Sequence, residues 1–196
     1  DVLKFIACKE DLTQINNFNI SVGLTEAFME AVENDEEYPL VAPHTGETVR
    51  MVRAPEVFDR IVDSAWKSGE PGIVFLDRLN RDNIAPEIGE IEATNPCGEQ
   101  PLLPFESCNL GSVNLGKMLR RTEEGYEIDY DLLGEVVEDA VHFLDNVITV
   151  NKYPLEQIRE MSLGTRKIGL GVMGFADMLF KLSIPYSSDE AIERAE

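Results

Sequence analysis

Between Asn95 and Leu110 the chain reads NPCGEQPLLPFESCNL and carries two of its three cysteines, Cys97 and Cys108. Asn95, Cys97 and Glu99 alternate with Pro96 and Gly98, and in an extended chain residues i, i+2 and i+4 share a face. Such a face would carry an amide for hydrogen bonding, a sulfur for nucleophilic or radical chemistry and a carboxylate for general-base work. Pro96 removes a ladder donor and Gly98 weakens a strand, so the segment reads as an extended loop rather than a central strand. Gly98 also lets the backbone come close to a ligand. Spacing alone leaves two readings open, because a free cysteine is also a common small core residue.

Other motifs carry less. GLGVMG at 169–174 matches G-x-G-x-x-G, but the preceding LEQIREMSLGTRK reads as a charged helix, not a strand. No strand ending in an acidic residue follows about 20 positions on, as a dinucleotide fingerprint requires. These glycines therefore read as close packing of a helix over 166–182. His44 falls in an expected turn and His142 on an amphipathic helix, with no C-x-x-C or H-x-x-x-H spacing, so no metal site is expected.

The elements that must position Asn95, Cys97, Glu99 and Cys108 follow from periodicity. NFNISVGL (17–24) reads as a strand, and Thr25 caps a helix over 26–34. Residues 38–52 read as a hairpin turning at His44–Glu47, with Gly46 in the turn. The span 54–69 is a helix with Pro55 in its first turn, Gly69 at its end and Val57, Phe58, Ile61, Val62, Ala65 and Trp66 on its apolar face. GIVFLD (72–77) reads as a buried strand. Helices are expected around 130–150 and from Pro154, and a last one capped by a Ser187–Glu190 box. Helices alternating with single strands give an α/β class, with no repeat, linker or internal boundary in the sequence.

Composition narrows the partners. Hydrophobic residues make up 43% and charged residues 28% of 196, which is ordinary for a soluble globular chain. No apolar run approaches the roughly 20 residues of a membrane span. The formal net charge is −20. Its acidic clusters, at 33–37, 123–131 and the C-terminal end, read as solvated surface, with an acidic docking face as the other reading. Nucleic-acid binding, which needs basic patches, is disfavoured. Three cysteines, two in one short segment, do not resemble a secreted disulfide framework and fit a cytoplasmic protein. The start lacks Met and any signal-peptide pattern. Both ends read as cut, since the chain opens on an apolar pattern and stops within a helical one.

NPCGEQPLLPFESCNLGSVNL (95–115) resembles the active-site finger loop of the ribonucleotide reductase catalytic chain, in the form common among adenosylcobalamin-dependent, or class II, enzymes. FIACKEDLTQINNFNISVGLTEAFMEAV (5–32) resembles the stretch after that family's effector loops, and RKIGLGVMGFADML (166–179) a later barrel helix. The resemblance implies that residues 1–196 are part of a catalytic ten-stranded α/β barrel, with the finger loop inside it and sealed from water.

By the same resemblance, Cys97 matches the cysteine oxidised to a thiyl radical, which abstracts the 3′ hydrogen of a ribonucleotide. Glu99 matches the base that takes the 3′ hydroxyl proton, and Asn95 the amide that binds the ribose hydroxyls. Cys108 matches one of two cysteines that supply reducing equivalents and end as a disulfide. Its partner should lie upstream of residue 1, since Cys8 does not match it and reads as a buried thiol.

Adenosylcobalamin is the implied cofactor, with no binding residue assignable here, and an external dithiol such as thioredoxin the implied reductant. Effector nucleotides should bind before residue 1, and the substrate-phosphate loop and C-terminal cysteines should follow residue 196. Family members commonly form homodimers. An isolated piece of such a barrel is expected to be inactive and to leave sheet edges open. Three alternatives remain at this level: a class I-type chain with a separate metal-containing radical subunit, a non-catalytic scaffold, and an unrelated thiol oxidoreductase. The last predicts a ready Cys97–Cys108 disulfide.

Overall fold

The structure is a computed structural model that describes residues 1–11, 13 and 15–196. Its packing groups into two compact units, Asp1–Pro104 and Phe105–Glu196.

The first unit runs α1 (Val2–Ile6), a 3-10 turn at Cys8–Glu10, β1 (Ser21–Leu24), α2 (Glu26–Glu33), β2 (Glu37–Val41), β3 (Thr48–Arg53), α3 (Ala54–Ser68), β4 (Gly72–Phe75), α4 (Leu76–Arg81), β5 (Ala93–Thr94) and β6 (Pro101–Leu102). β1 and β4 pair in parallel from Ser21 opposite Gly72 to Leu24 opposite Phe75. The connection between them carries α2, the β2–β3 hairpin and α3. Ile6, Val22, Leu24, Phe28, Ala31, Val52, Ala54, Val57 and Ile61 form one core.

Local chemistry sets these boundaries. The Thr25 hydroxyl accepts the Phe28 N–H at 3.1 Å and starts α2. Phe28 then meets Tyr38 edge to face, with ring centroids 5.2 Å apart. The hairpin closes where the Ala42 N–H donates to the Glu47 carbonyl at 2.9 Å, with Gly46 at φ +71. Pro55 occupies the first turn of α3, and Gly69, at φ +83, ends it.

Three expectations for this unit need correction. The strand expected over 17–24 starts at Ser21. GIVFLD is a strand only to Phe75, after which Leu76 opens α4, and it is not buried, since Ile73 and Phe75 are exposed. A parallel strand is buried when helices cover both faces of its sheet, and among the described residues β4 has a single neighbouring strand. The buried stripe of α3 is Ala54, Val57, Ile61 and Ser64. Val62 and Trp66 lie about 100° and about 140° round the helix from Ile61 and face away from that stripe. Trp66 is accordingly 86% exposed, and Ile61 1%.

The second unit runs β7 (Asn109–Asn114), a 3-10 turn at Leu115–Lys117, β8 (Leu119–Arg121), β9 (Tyr126–Ile128), α5 (Tyr130–Val150), α6 (Glu156–Thr165), β10 (Ile168–Met173), α7 (Phe175–Leu182) and α8 (Asp189–Ala195). β7 and β10 pair in parallel from Asn109 opposite Ile168 to Asn114 opposite Met173. This unit repeats the plan of the first without repeating its sequence: a parallel pair whose connection holds an antiparallel hairpin and helices. The class is α/β. Met178, Leu179, Ile184 and Ala191 form its core, with Leu115, Leu119, Ile128 and Phe175 packed on it. α5 buries Leu144 and Ile148 but leaves Leu132, Val137 and Val141 exposed.

The helix expected over 166–182 is a strand followed by a helix. Ile168, Leu170 and Val172 alternate with other residues at period two, and the glycines between them disfavour a helix. Gly174 turns the chain into α7 at φ +69, where an added Cβ would collide with the Asn114 side-chain oxygen. The first two glycines of GLGVMG thus lie inside a paired strand instead of a phosphate-wrapping turn, so the dinucleotide reading is excluded on different grounds. The cap of α8 is Ser188, whose hydroxyl accepts the Ala191 N–H at 3.2 Å, and not Ser187. Glu190 is then one position too early for a capping box.

Replacing Ile61 by Ala should cost about 2–4 kcal/mol in urea unfolding, whereas Trp66→Ala should stay within about 0.5 kcal/mol. A Trp66 variant as costly as the Ile61 variant would place the wrong side of α3 against the core.

Candidate functional site

β5 and β6 pair through Ala93 with Leu102 and Thr94 with Pro101, and the segment 95–100 joins them. Asn95 closes this loop in three ways. Its N–H donates to the Gln100 carbonyl at 3.1 Å. Its Oδ1 accepts the Gln100 N–H at 2.9 Å. Its carbonyl accepts the Gly98 N–H at 3.0 Å and the Thr94 hydroxyl at 2.9 Å.

Gly98 stands at φ +86, in the left-handed region. The segment is therefore a closed turn and not the extended loop expected, so the shared-face argument does not hold. An Asn side chain that bonds nearby backbone, a proline and a left-handed glycine together favour a turn.

This closure separates the three groups by role. Asn95 is half-buried at the neck, with Oδ1 committed to the loop and no partner for its Nδ2 among the described residues. Cys97 and Glu99 are exposed on the loop. Within residues 1–196 the thiol is therefore open to solvent.

The neck rests on residues that sequence reasoning did not single out. The Asn19 side-chain amide donates to the Pro96 carbonyl at 2.8 Å. The chain on either side of Asn19 is clamped: the Lys9 ammonium donates to the Phe18 carbonyl, and the Ile20 N–H donates to a Glu70 carboxylate oxygen at 2.8 Å. Lys9 and Glu70 pair at 3.0 Å. Lys9 is only 5% exposed, whereas Cys8 beside it, expected to be buried, is half-buried. The Ile20 N–H and then the Lys9 ammonium hold the Glu70 carboxyl below its usual pKa.

On the approach to β5, Asn80 brackets Ile91, accepting its N–H at 2.7 Å and donating to its carbonyl at 3.0 Å. A cleft of about 550 Å³ opens beside the neck, lined in part by Asn17, Asn19, Ser21, Glu92, Thr94 and Asn95. Its volume falls in the range of small-ligand sites.

Cys108 belongs to the second unit, half-buried immediately before β7. The residues leading to it are anchored within that unit. Glu106, its carboxylate buried, pairs with Lys167 at 2.6 Å, and the Ser107 hydroxyl lies 2.7 Å from that of Ser162. Next to Lys167, the Arg166 guanidinium bonds Asp145 at 2.7 Å and holds that carboxyl below its usual pKa.

All three cysteines are thiols. Among the described residues, no group of three His, Cys, Asp or Glu side chains is gathered to hold a metal. No described helix is long and apolar enough to cross a membrane.

The only signal for Asn19 in the sequence is the amide-rich NNFN run at 16–19. Lys9 and Glu70 look like ordinary surface charges there, because their partners are distant in the chain.

The family model described as "Ribonucleotide reductase, barrel domain" matches residues 1–196. The chain is 52% identical to the vitamin B12-dependent ribonucleoside-diphosphate reductase of Thermoplasma acidophilum, an alignment covering 100% of this chain and 25% of that protein. It is 51% identical to the protein of the same name from Mycobacterium tuberculosis (strain CDC 1551 / Oshkosh), covering 100% and 28%. Identity to the ribonucleoside-diphosphate reductase subunit alpha of Chlamydia trachomatis is 36%, covering 89% and 17%. The chain thus spans about a quarter of the length of the first two relatives.

Two outcomes follow from this geometry. Because the Glu70 carboxyl is depressed in the folded state, its contribution to stability is complete above its ordinary value of 4.5 and disappears as pH falls through the lower folded value. Thermal unfolding followed from neutral pH down to about pH 3 should show a smaller acid-side loss in Glu70→Gln than in the parent. Identical acid slopes would remove Glu70 from the clamp. In native alkylation read by peptide mass spectrometry, Cys97 should react ahead of the half-buried Cys8 and Cys108. Slower labelling of Cys97 would contradict its exposed place on the loop.

Proposed function

Because the chain belongs to the ribonucleotide reductase barrel-domain family, we propose that it is part of a catalytic chain that reduces ribonucleotides to 2′-deoxyribonucleotides for DNA synthesis. On this reading residues 1–196 are a portion of one catalytic barrel domain, the ten-stranded α/β barrel of that family. The observation that carries it is the closed loop 95–100, with Asn95 at its neck and Cys97 and Glu99 exposed on it, in a chain matched over its whole length.

Cys97, as a thiyl radical, takes the 3′ hydrogen of the ribose and returns it at the end. Glu99 accepts the 3′ hydroxyl proton as the 2′ oxygen leaves as water. Asn95, with its oxygen held by the Gln100 N–H, has its amide nitrogen left to donate to a ribose hydroxyl. Cys108 and a second cysteine outside this stretch supply two electrons and two protons and become a disulfide. An external dithiol of the thioredoxin type restores them. One water and one disulfide form for each deoxyribonucleotide.

The relatives' names imply adenosylcobalamin. The residues present fit it in one respect: Cys97 is an exposed thiol, the kind of group from which a hydrogen atom would be taken. When bound, adenosylcobalamin supplies the one-electron chemistry that removes the hydrogen atom from the Cys97 thiol. No residue of 1–196 is assigned to holding it. A class I-type chain served by a separate radical subunit is the second reading. The relative named subunit alpha supports it, at lower identity than the two vitamin B12-dependent relatives cited.

Effector nucleotides bound outside this stretch, a homodimeric assembly and a cytoplasmic location complete the proposal. The thiols of Cys97 and Cys108 are consistent with a reducing compartment.

The deciding assay uses the full-length chain with a dithiol, with and without adenosylcobalamin, and follows deoxyribonucleotide formation. Cobalamin-dependent turnover that is lost in Cys97→Ser is the expected result. Turnover only with a separate radical subunit would move the chain to the second reading. Turnover undiminished in Cys97→Ser would sink the radical role.

A further inference from the structure

We propose that Asn19 is a positioning residue for Cys97: its side-chain amide holds the carbonyl immediately before that cysteine and so sets where the thiol stands. The inference rests on the reading of Cys97 given above and adds a residue that the chemistry does not touch.

The loop 95–100 is closed on itself by Asn95, and β5 and β6 at its base are only two residues each. So short a hairpin adds only two residue pairs of ladder to hold the loop. Among the described residues, a single hydrogen bond ties 95–100 to chain outside the hairpin. It runs from Asn19 Nδ2 to the Pro96 carbonyl at 2.8 Å, across 77 positions of sequence. The acceptor is a carbonyl, so the nitrogen of the amide must face it. The bonded carbonyl belongs to the peptide that joins Pro96 to Cys97, so the tether acts one residue from the sulfur.

Asn19 suits this task because its own backbone cannot drift. Lys9 holds the carbonyl of Phe18, Glu70 holds the N–H of Ile20, and these two side chains pair at 3.0 Å. The Ile20 carbonyl in turn accepts the Gly72 N–H at 2.9 Å, directly before β1 pairs with β4. The tether therefore starts from the parallel sheet and ends at the loop. Hydrogen abstraction requires sulfur and carbon to be held within reacting distance, and a small misplacement slows it steeply.

The test compares Asn19→Asp and Asn19→Gln in the full-length chain. Asp keeps the shape but presents a carboxylate that cannot donate to the carbonyl; Gln keeps the donor. Expected for Asn19→Asp are a fall in kcat of about threefold to tenfold, as loss of one hydrogen bond implies, and a KM within about twofold of the parent. Amide hydrogen exchange of peptides spanning 95–100 should quicken, because the Gly98, Asn95 and Gln100 N–H groups are bonded in the closed loop.

Asn19→Gln should recover at least part of both, with thermal midpoints showing that each variant is folded. Loop exchange equal to the parent in Asn19→Asp, or equal losses in Asn19→Asp and Asn19→Gln, would overturn the proposal. An inactive parent chain would count against the proposed reaction instead, while the exchange measurement would still decide whether Asn19 tethers the loop.

Discussion

The pairing of buried Lys9 with half-buried Glu70 is the contact on which the site's geometry hangs. Neither group spends its hydrogen bonds on its partner alone. Lys9 also reaches the Phe18 carbonyl, and Glu70 the Ile20 N–H, so one ion pair pins two backbone positions that flank Asn19. Losing Glu70 would leave the buried Lys9 ammonium with the Phe18 carbonyl but without its counter-charge. Such pairs stabilise little relative to apolar packing, and their better-attested use is to fix register. Here the register fixed is that of the chain entering β1, which carries the amide bonded to the loop 95–100.

The second unit uses the same device near its own cysteine. Glu106 and Lys167 pair at 2.6 Å with little exposure, and Ser107 meets Ser162, both directly before Cys108. Cys97 and Cys108 thus each follow within a few residues of a polar anchor to a more distant part of their own unit. On the proposed reading each thiol hands on a hydrogen atom or electrons, and for that a fixed position matters more than deep burial. Polar anchors supply direction, which apolar packing does not.

The apolar surface left open agrees with a chain that covers about a quarter of its relatives. Trp66, Ile84 and Phe180 are exposed, and every sheet among the described residues has two strands. An isolated two-stranded sheet is marginal in water, and parallel strands become buried when helices lie on both faces. The solvent exposure of Cys97 belongs to the same picture, since the proposed radical chemistry would need walls to exclude water.

The sequence by itself determined what depends on neighbours along the chain. The Thr25 cap, the hairpin turn at Gly46, the Pro55 and Gly69 limits of α3, the long α5 and the α/β class are all set by side chains that act within a few residues. The chemical types at 95, 97, 99 and 108, and the resemblance they carry, were legible for the same reason. Tertiary structure decided what depends on remote partners. Ile168–Met173 became a strand because β7 was there to pair with it, against a helical reading of its surroundings. Asn95 turned its oxygen into its own loop, which no alternation rule foresees. Trp66 looked like core from its spacing and is exposed because only one narrow stripe of α3 meets the core. Asn19, Lys9 and Glu70 gained their role from contacts that span up to 77 positions, and a sequence pattern does not carry such distances.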